Sequence, residues 1–312
     1  MKVTAARLIT WLEKSNSKDE TSNFLRLPIF CEVGDWLPPN LMINPSPYKT
    51  IAVASTFSPR FEQVLSEAKR VRDRFDAALS LIYVGERTDE TAEKFSDILG
   101  ALQLPRDSAI HYQHGDPAGG ILRALNDNKI DMIVAGALEK EVVLHPFLGN
   151  VARRLVSQAT CSVMLFTHPE REPKPLRKIV FVADYSDHAL EALKITLHLA
   201  LAEKTERLYV IRVITTFDEA RAKADGGNRV QTQDEDEAEL EKFVLSAGET
   251  DVPMEARCIR GNTGFAAADF VKSVEADLLV VPDQPEANGE QVLPGNFAWL
   301  TDFIPCNLWV IR

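Results

Sequence analysis

The sequence predicts an α/β protein built from two tandem, doubly wound units with mostly parallel five-stranded sheets, preceded by an N-terminal arm. Three observations predict it. From residue 50 onward, short apolar β-branched segments alternate with amphipathic stretches, and alternation with helical patterns of about ten to fifteen residues is the signature of βα units around a parallel sheet. The alternation starts again near residue 176. The two rounds also keep step. Gly115 to Asp131 and Gly261 to Asp277 are each 16 residues, and Asp131 to Gly149 and Asp277 to Gly295 are each 18. A fixed period across several landmarks marks an internal duplication.

The elements follow in order. Residues 1–49 form the arm. Val3 to Lys14 has an amphipathic pattern, and a stretch with Pro28, Pro38, Pro39, Pro45 and Pro47 follows it. Proline removes a backbone donor, so helix and central strand are both disfavoured there. The first unit spans 50–167. "TIAVAS" reads as a buried strand, and residues 61–75 place Phe61, Val64, Leu65, Ala68, Val71 and Phe75 on one helical face. Next come a strand "AALSLIYV", a helix "ETAEKFSDILGALQL", a strand "SAIHYQ" and a helix from Pro117 to Lys129, with Asp116 as its cap. A strand "MIVAG", a helix after Gly149 and a strand "SVMLF" complete the unit.

A charged, proline-bearing linker spans 168–175, and the second unit spans 176–312. It opens with "LRKIVFVADYS" and continues with a helix "ALEALKITLHLALAE", a strand "RLYVIRV", a helix near "EAELEKFVLSAG" and a strand "MEARCI". A helix after Gly261 and the strands "LLVV" and "NLWVI" close it. Ile51 to Asp131 is 80 residues and Ile179 to Asp277 is 98, so the second unit carries 18 more, assigned to residues 215–241. The acidic run Asp234–Glu237 reads as a solvated helix start, favoured by the helix dipole. "SVMLF" and "LWVI" are apolar edge strands that can satisfy each other's backbone donors, which makes the chain an intramolecular pseudo-dimer. A homodimer of chains stays open.

Composition narrows the function. Lys and Arg total 35 against 46 Asp and Glu, a net charge of −11. Such a chain is repelled by nucleic-acid phosphates and by anionic lipid, so neither is expected as a partner. No segment reaches the roughly 18 apolar residues of a membrane span. The first residues lack a secretory apolar core, so a cytoplasmic location is expected. Cys31, Cys161, Cys258 and Cys306 form no CxxC pair, so no metal site is expected, and buried reduced thiols are. His111 and His114 stand three apart on a strand, on opposite faces. No GxSxG elbow, GK(S/T) phosphate loop or HExxH occurs, so no catalytic residues are assigned and the protein reads as no enzyme.

The opening strands "IAVASTFS" and "IVFVADYS", the segments "DMIVAGALEKEVVLHPFLGN" and "DLLVVPDQPEANGEQVLPGN", and the endings "TCSVMLF" and "PCNLWVI" together resemble the universal stress protein family. The resemblance covers residues 50–167 and 175–312 and implies a Rossmann-like fold of the adenine nucleotide α-hydrolase kind. It also implies a choice, because some members bind ATP and others do not. The family's phosphate loop is G-2x-G-9x-G-(S/T), and its first strand ends in an aspartate at the adenine end.

Carried over by motif, the binding candidates are Gly136, Gly149 and Asn150 in the first unit and Asp184, Gly295 and Asn296 in the second. Both loops are degenerate. In the first unit Glu139 stands for the second glycine and Thr56 for the aspartate; in the second unit Pro282 and Pro285 stand for the first two glycines. A carboxylate at about 4 Å from a phosphate costs on the order of 4 kcal/mol at an effective dielectric near 20. Each proline removes one of the N–H donors such a loop needs. His145 lies in the first loop with no evident partner. The reading is therefore a non-enzymatic stress-response protein acting through protein partners or a small ligand, with no cofactor expected. An adenine-nucleotide sensor using the cleft by Asp184 is the alternative. A nucleotide-hydrolysing enzyme is the second.

Overall fold

The structure, a computed structural model, describes residues 46–137, 148–215, 232–261, 265–283, 300 and 304–312. All of them belong to the unit Asn44–Arg312; residues 1–45 of the expected arm, most of the surplus segment of the second repeat and much of both loops lie outside the described residues. Tyr48, at the end of the expected arm, is buried against Phe75 and Trp309.

The first repeat runs β1 (Thr50–Ser55), α1 (Phe61–Phe75), β2 (Ala78–Val84), α2 (Asp89–Ala101), β3 (Ile110–Gln113), α3 (Pro117–Asp127), β4 (Met132–Gly136), α4 (Asn150–Gln158) and β5 (Ser162–Phe166). The second runs β6 (Lys178–Val182), α5 (Asp187–Glu203), β7 (Arg207–Ile214), α6 (Gln233–Ser246), β8 (Met254–Arg260), α7 (Phe265–Ser273), β9 (Leu278–Pro282) and β10 (Asn307–Ile311). The ten strands form one sheet in the order β3-β2-β1-β4-β5-β10-β9-β6-β7-β8. Every pairing is parallel except β5 with β10, where Met164 faces Trp309. Each repeat supplies five strands, and the two apolar terminal strands cover each other's edge.

Helices cover both faces, as right-handed βα crossovers require. On one face α1, α2, α5 and α6 bury Phe75, Phe95, Leu193 and Leu240 against Val53, Phe181 and Trp309. On the other, α3, α4 and α7 bury Ile121, Leu155 and Val271 against Ile133, Val163 and Leu279.

Local sequence explains the helix starts. Asp116 caps α3 by accepting from the Gly119 amide at 2.8 Å, with Pro117 in the first turn. Ser186 caps α5, and Thr232 with Glu235 forms a capping box on α6. The acidic run at that helix start is not solvated throughout: Asp236 is buried and paired with Arg260, because β8 packs against α6 and brings a cation to it. His111 lies on β3, and His114 is exposed beyond its end.

The landmark aspartates do the same work twice. Asp131 Oδ2 accepts from the Lys49 and Thr50 amides, each at 2.8 Å, and Asp277 Oδ2 accepts from the Lys178 amide at 2.8 Å. Each carboxylate ties the start of the fourth strand of its repeat to the start of the first. Between repeats, the buried Glu203 carboxylate on α5 accepts from Arg70 Nη1 at 3.0 Å and Arg74 Nε at 2.8 Å, both on α1.

Candidate functional site

In an open parallel sheet, ligands bind beyond the carboxyl ends of strands where the strand order reverses. This sheet has two such points, between β1 and β4 and between β6 and β9. Their registers pair Val53 with Val134 and Phe181 with Val280. Carried three residues onward, those registers set Thr56 level with Ala137 and Asp184 level with Asp283. One reversal point ends in neutral side chains and the other in two aspartates.

At the first point lies a cavity of about 630 Å³. Its floor and walls are Ala54, Val64, Val84, Ile121, Ala135 and Phe166, and its polar lining includes Thr56, Ser58, Asn150 and Thr167. Among the lining residues described, Arg60 is the single formal charge. The expected residues of this repeat come together here. Gly136 ends β4 and is exposed, Gly149 is the residue before α4, and Asn150 opens that helix. The Gly149 amide donates to Ala137 O at 3.0 Å, and as the N-cap residue Gly149 has no side chain to cap the helix. The first N–H groups of α4 thus open toward the cavity, a setting that favours negative charge. A Cβ placed on Gly136 would meet Val64 Cγ2 at 3.4 Å, an ordinary contact, so that glycine keeps the mouth wide rather than relieving a clash.

Phe57, between the cavity-lining Thr56 and Ser58, packs on Phe95 and Tyr83 at ring-centre distances of 4.7 and 5.2 Å, and Lys94 Nζ lies 5.6 Å from its ring centre. Phe57 is still 39% exposed. Asp116 caps α3, whose Pro117 lines the cavity; its carboxyl is held below the usual range by the Gly119 amide and then by Arg154.

The second point is built differently. Asp184 follows β6 and is exposed; its Oδ1 accepts from the Ser186 amide at 2.9 Å and from Ser186 Oγ at 2.6 Å. That carboxylate is engaged in the local turn that sets the cap of α5. Pro282 ends β9 and is buried. Behind it Asp283, which the sequence reading did not single out, is 1% exposed. Its Oδ2 accepts from Arg312 Nε at 2.9 Å and Nη2 at 2.7 Å, while its Oδ1 has no hydrogen-bond partner among the described residues. Arg312 also donates to Val156 O and Cys161 O of the first repeat. The only signal in the sequence was the register match of Asp283 with Ala137, which shows nothing of the distant arginine. Gly295, Asn296, Glu139, Pro285 and His145 lie outside the described residues.

A nucleotide's phosphates fit these two points unequally. Among the described residues, the first offers a helix start with glycine at its N-cap and small residues, without an aspartate at Thr56. Among the described residues, the second sets a buried carboxylate, paired with Arg312, beside a proline where donors would be needed. Among the described residues, no group of three His, Cys, Asp or Glu side chains is placed to hold a metal ion. No helix of the described residues is long and apolar enough to cross a membrane.

Fold and site together define a tandem doubly wound α/β protein with a cavity at its first reversal point and a buried ion pair beside its second. The sequence profile of the universal stress protein family matches residues 47–167 and again 175–311, and the chain belongs to that family, with two tandem family domains. It is 30% identical over 135 residues to the universal stress protein in QAH/OAS sulfhydrylase 3'region of Thermus aquaticus, covering 38% of this chain and 98% of that protein. It is 28% identical over 145 residues to universal stress protein MJ0531 of Methanocaldococcus jannaschii, covering 40% of this chain and 85% of that protein. Two solved structures share the whole tandem fold. A functionally unknown protein PA1789 from Pseudomonas aeruginosa PAO1 has a TM-score of 0.62 at 14% identity, over 85% of this chain and 92% of that one. A universal stress protein from Archaeoglobus fulgidus has a TM-score of 0.58 at 13% identity, over 86% and 98%.

Proposed function

We propose that this universal stress protein is a non-enzymatic, cytoplasmic binding protein in which the first repeat holds a small ligand and the second serves as its structural partner. The observation that carries this reading is the contrast at the two reversal points. An open cavity without a carboxylate among its described lining residues stands at the first, and the buried Asp283–Arg312 pair stands at the second. The asymmetry moves the better candidate from the cleft by Asp184 to Gly136, Gly149 and Asn150.

High-affinity ATP binding is not part of the reading. The segment joining β4 to α4 brings Glu139 and Glu141 against one ammonium, Lys140, and a carboxylate near a triphosphate is repulsive. Catalysis is not part of it either, because the cavity lining includes no His, Cys, Asp or Glu among the described residues to act as base or nucleophile.

Native mass spectrometry of the purified chain, followed by calorimetry with Mg-ATP, tests the reading. It expects one small ligand at most per chain and no ATP binding tighter than about 10 µM, near −7 kcal/mol. A ligand retained by a variant with Gly136→Phe and lost by one with Asp184→Ala would reverse the assignment of repeats. Steady ATP turnover abolished by Asn150→Ala would make the protein an enzyme.

A further inference from the structure

We propose that the linker between the two repeats is a proton-operated latch, held shut by a buried carboxylate–guanidinium network and loosened as the surroundings turn from mildly acidic to neutral. The latch does not depend on what the cavity of the first repeat holds.

The geometry of the linker carries it. Three main-chain groups between Glu170 and Leu176 end on charged side chains. The Glu170 amide donates to Glu67 Oε1 at 3.3 Å, Arg70 Nη1 donates to Lys174 O at 2.9 Å, and the Leu176 amide donates to Glu203 Oε2 at 3.1 Å. Those three side chains form one network. Arg70 donates through Nη2 to Glu67 Oε2 at 2.7 Å and through Nη1 to Glu203 Oε2 at 3.0 Å, and the side chains of Arg70, Glu67 and Glu203 are 10%, 6% and 1% exposed. Arg70 Nε has no hydrogen-bond partner among the described residues, so the guanidinium grips through its two terminal nitrogens. Glu67 and Arg70 lie on α1 and Glu203 ends α5, so the network ties both repeats to the segment that joins them. The Arg70 guanidinium also lies 5.8 Å from the Phe166 ring centre, and Phe166, Thr167 and Pro169 line the first-repeat cavity. Releasing the linker therefore alters one wall of that cavity.

Glu67 is the group on which a proton acts. It faces Arg70 on its own helix, Glu203 on α5 across that guanidinium, and Glu170 with its partner Lys174 on the linker; Arg74 meets Glu203 from the other side at 2.8 Å. Burial raises the Glu67 pKa above the ordinary 4.5, against the pull of Arg70 and the Glu170 amide. Once the linker lifts, the carboxyl meets water and titrates near its ordinary value. The closed latch therefore holds the proton more tightly. Its advantage is full below about pH 4.5 and falls as pH rises through the closed-state pKa. A protonated carboxyl keeps an oxygen that accepts, so the proton removes the buried charge and leaves the tie to the Glu170 amide.

Hydrogen exchange of the full chain, corrected for the intrinsic rate at each pH, tests the latch. The Glu170 and Leu176 amides should be protected roughly threefold or more better at about pH 5 than at about pH 7.5, and should open at a lower free energy than the amides of β5. Glu67→Gln keeps the shape and an acceptor, leaves the neighbouring His168 and His198 imidazoles in place, and should show no such pH dependence. Equal pH dependence in wild type and Glu67→Gln overturns the assignment to this carboxyl. Protection at Glu170 as high as in β5 means that the linker opens only with the whole fold, and overturns the latch. Protection in wild type that ignores pH overturns the proposal outright.

Discussion

The Arg312 guanidinium and the Asp283 carboxylate form an ion pair whose side chains are 3% and 1% exposed. The pair sits where a phosphate loop would begin in the second repeat, and the same guanidinium holds carbonyls of α4 and the residue before β5 in the first. One side chain therefore both neutralises a buried carboxylate of the second repeat and pins the two repeats together.

Removing one partner strands the other charge in the interior. Arg312→Ala should destabilise the chain by about 3 kcal/mol, because breaking a buried pair costs more than the pair itself contributes. Asp283→Leu combined with Arg312→Met should recover a large part of that loss. Urea denaturation of the two singles and the double gives the coupling energy; additive losses would mean the pair is not coupled.

Glu67 predicts a pH effect with a definite sign. Its Oε2 accepts from Arg70 Nη2 at 2.7 Å, and its Oε1 accepts from the Glu170 amide at 3.3 Å. Burial nonetheless raises its pKa above the ordinary 4.5, with Arg70 opposing the shift. The folded chain therefore keeps this proton longer than the unfolded one. The contribution is full below about pH 4.5 and falls as pH rises through the folded pKa. Glu67→Gln cannot titrate, so wild type should lose stability relative to it between about pH 4.5 and neutrality. Urea midpoints of both proteins across that range check the sign, and a gain for wild type would refute it.

The two landmark aspartates should cost unequally. Asp131→Ala strands two amides and Asp277→Ala one for which a carboxylate bond is described. At about 1.5 to 3 kcal/mol for each charge-assisted bond, Asp131→Ala should be the more damaging change. Hydrogen exchange at Lys49, Thr50 and Lys178 should localise the losses to the strand starts.

The buried thiols should be inert. Burial pushes Cys161 up to about 12 and Cys258 up to about 11, and the thiolate is the reactive form. In a Cys31→Ser background, iodoacetamide at about pH 8 should leave both unmodified in the native protein and label them in urea. Rapid native labelling of either would show that its strand opens readily.

Much of this protein was legible along the chain. The helix cap at Asp116, the apolar face of α1, and the duplication marked by Asp131 and Asp277 all depend on contacts a few residues apart or on spacings that repeat. Gly136, Gly149 and Asn150 were found by motif and do meet at one cavity. Asp184 was also found by motif, but its carboxylate turns out to serve Ser186 two residues away. Asp236 was read as part of a solvated run, and only the approach of β8 explains its burial beside Arg260.

Order of elements, repeat and apolar pattern were thus determined by the amino-acid sequence alone, because periodicity and capping are local properties of the chain. Tertiary structure decided the rest. It gave Glu203 its partner Arg70 on α1, brought Arg312 onto Asp283, and gathered Gly136, Gly149 and Asn150 around one cavity. Partners 29 or 133 residues apart are chosen by packing and by the need to neutralise buried charge, and no pattern of neighbouring residues encodes that choice.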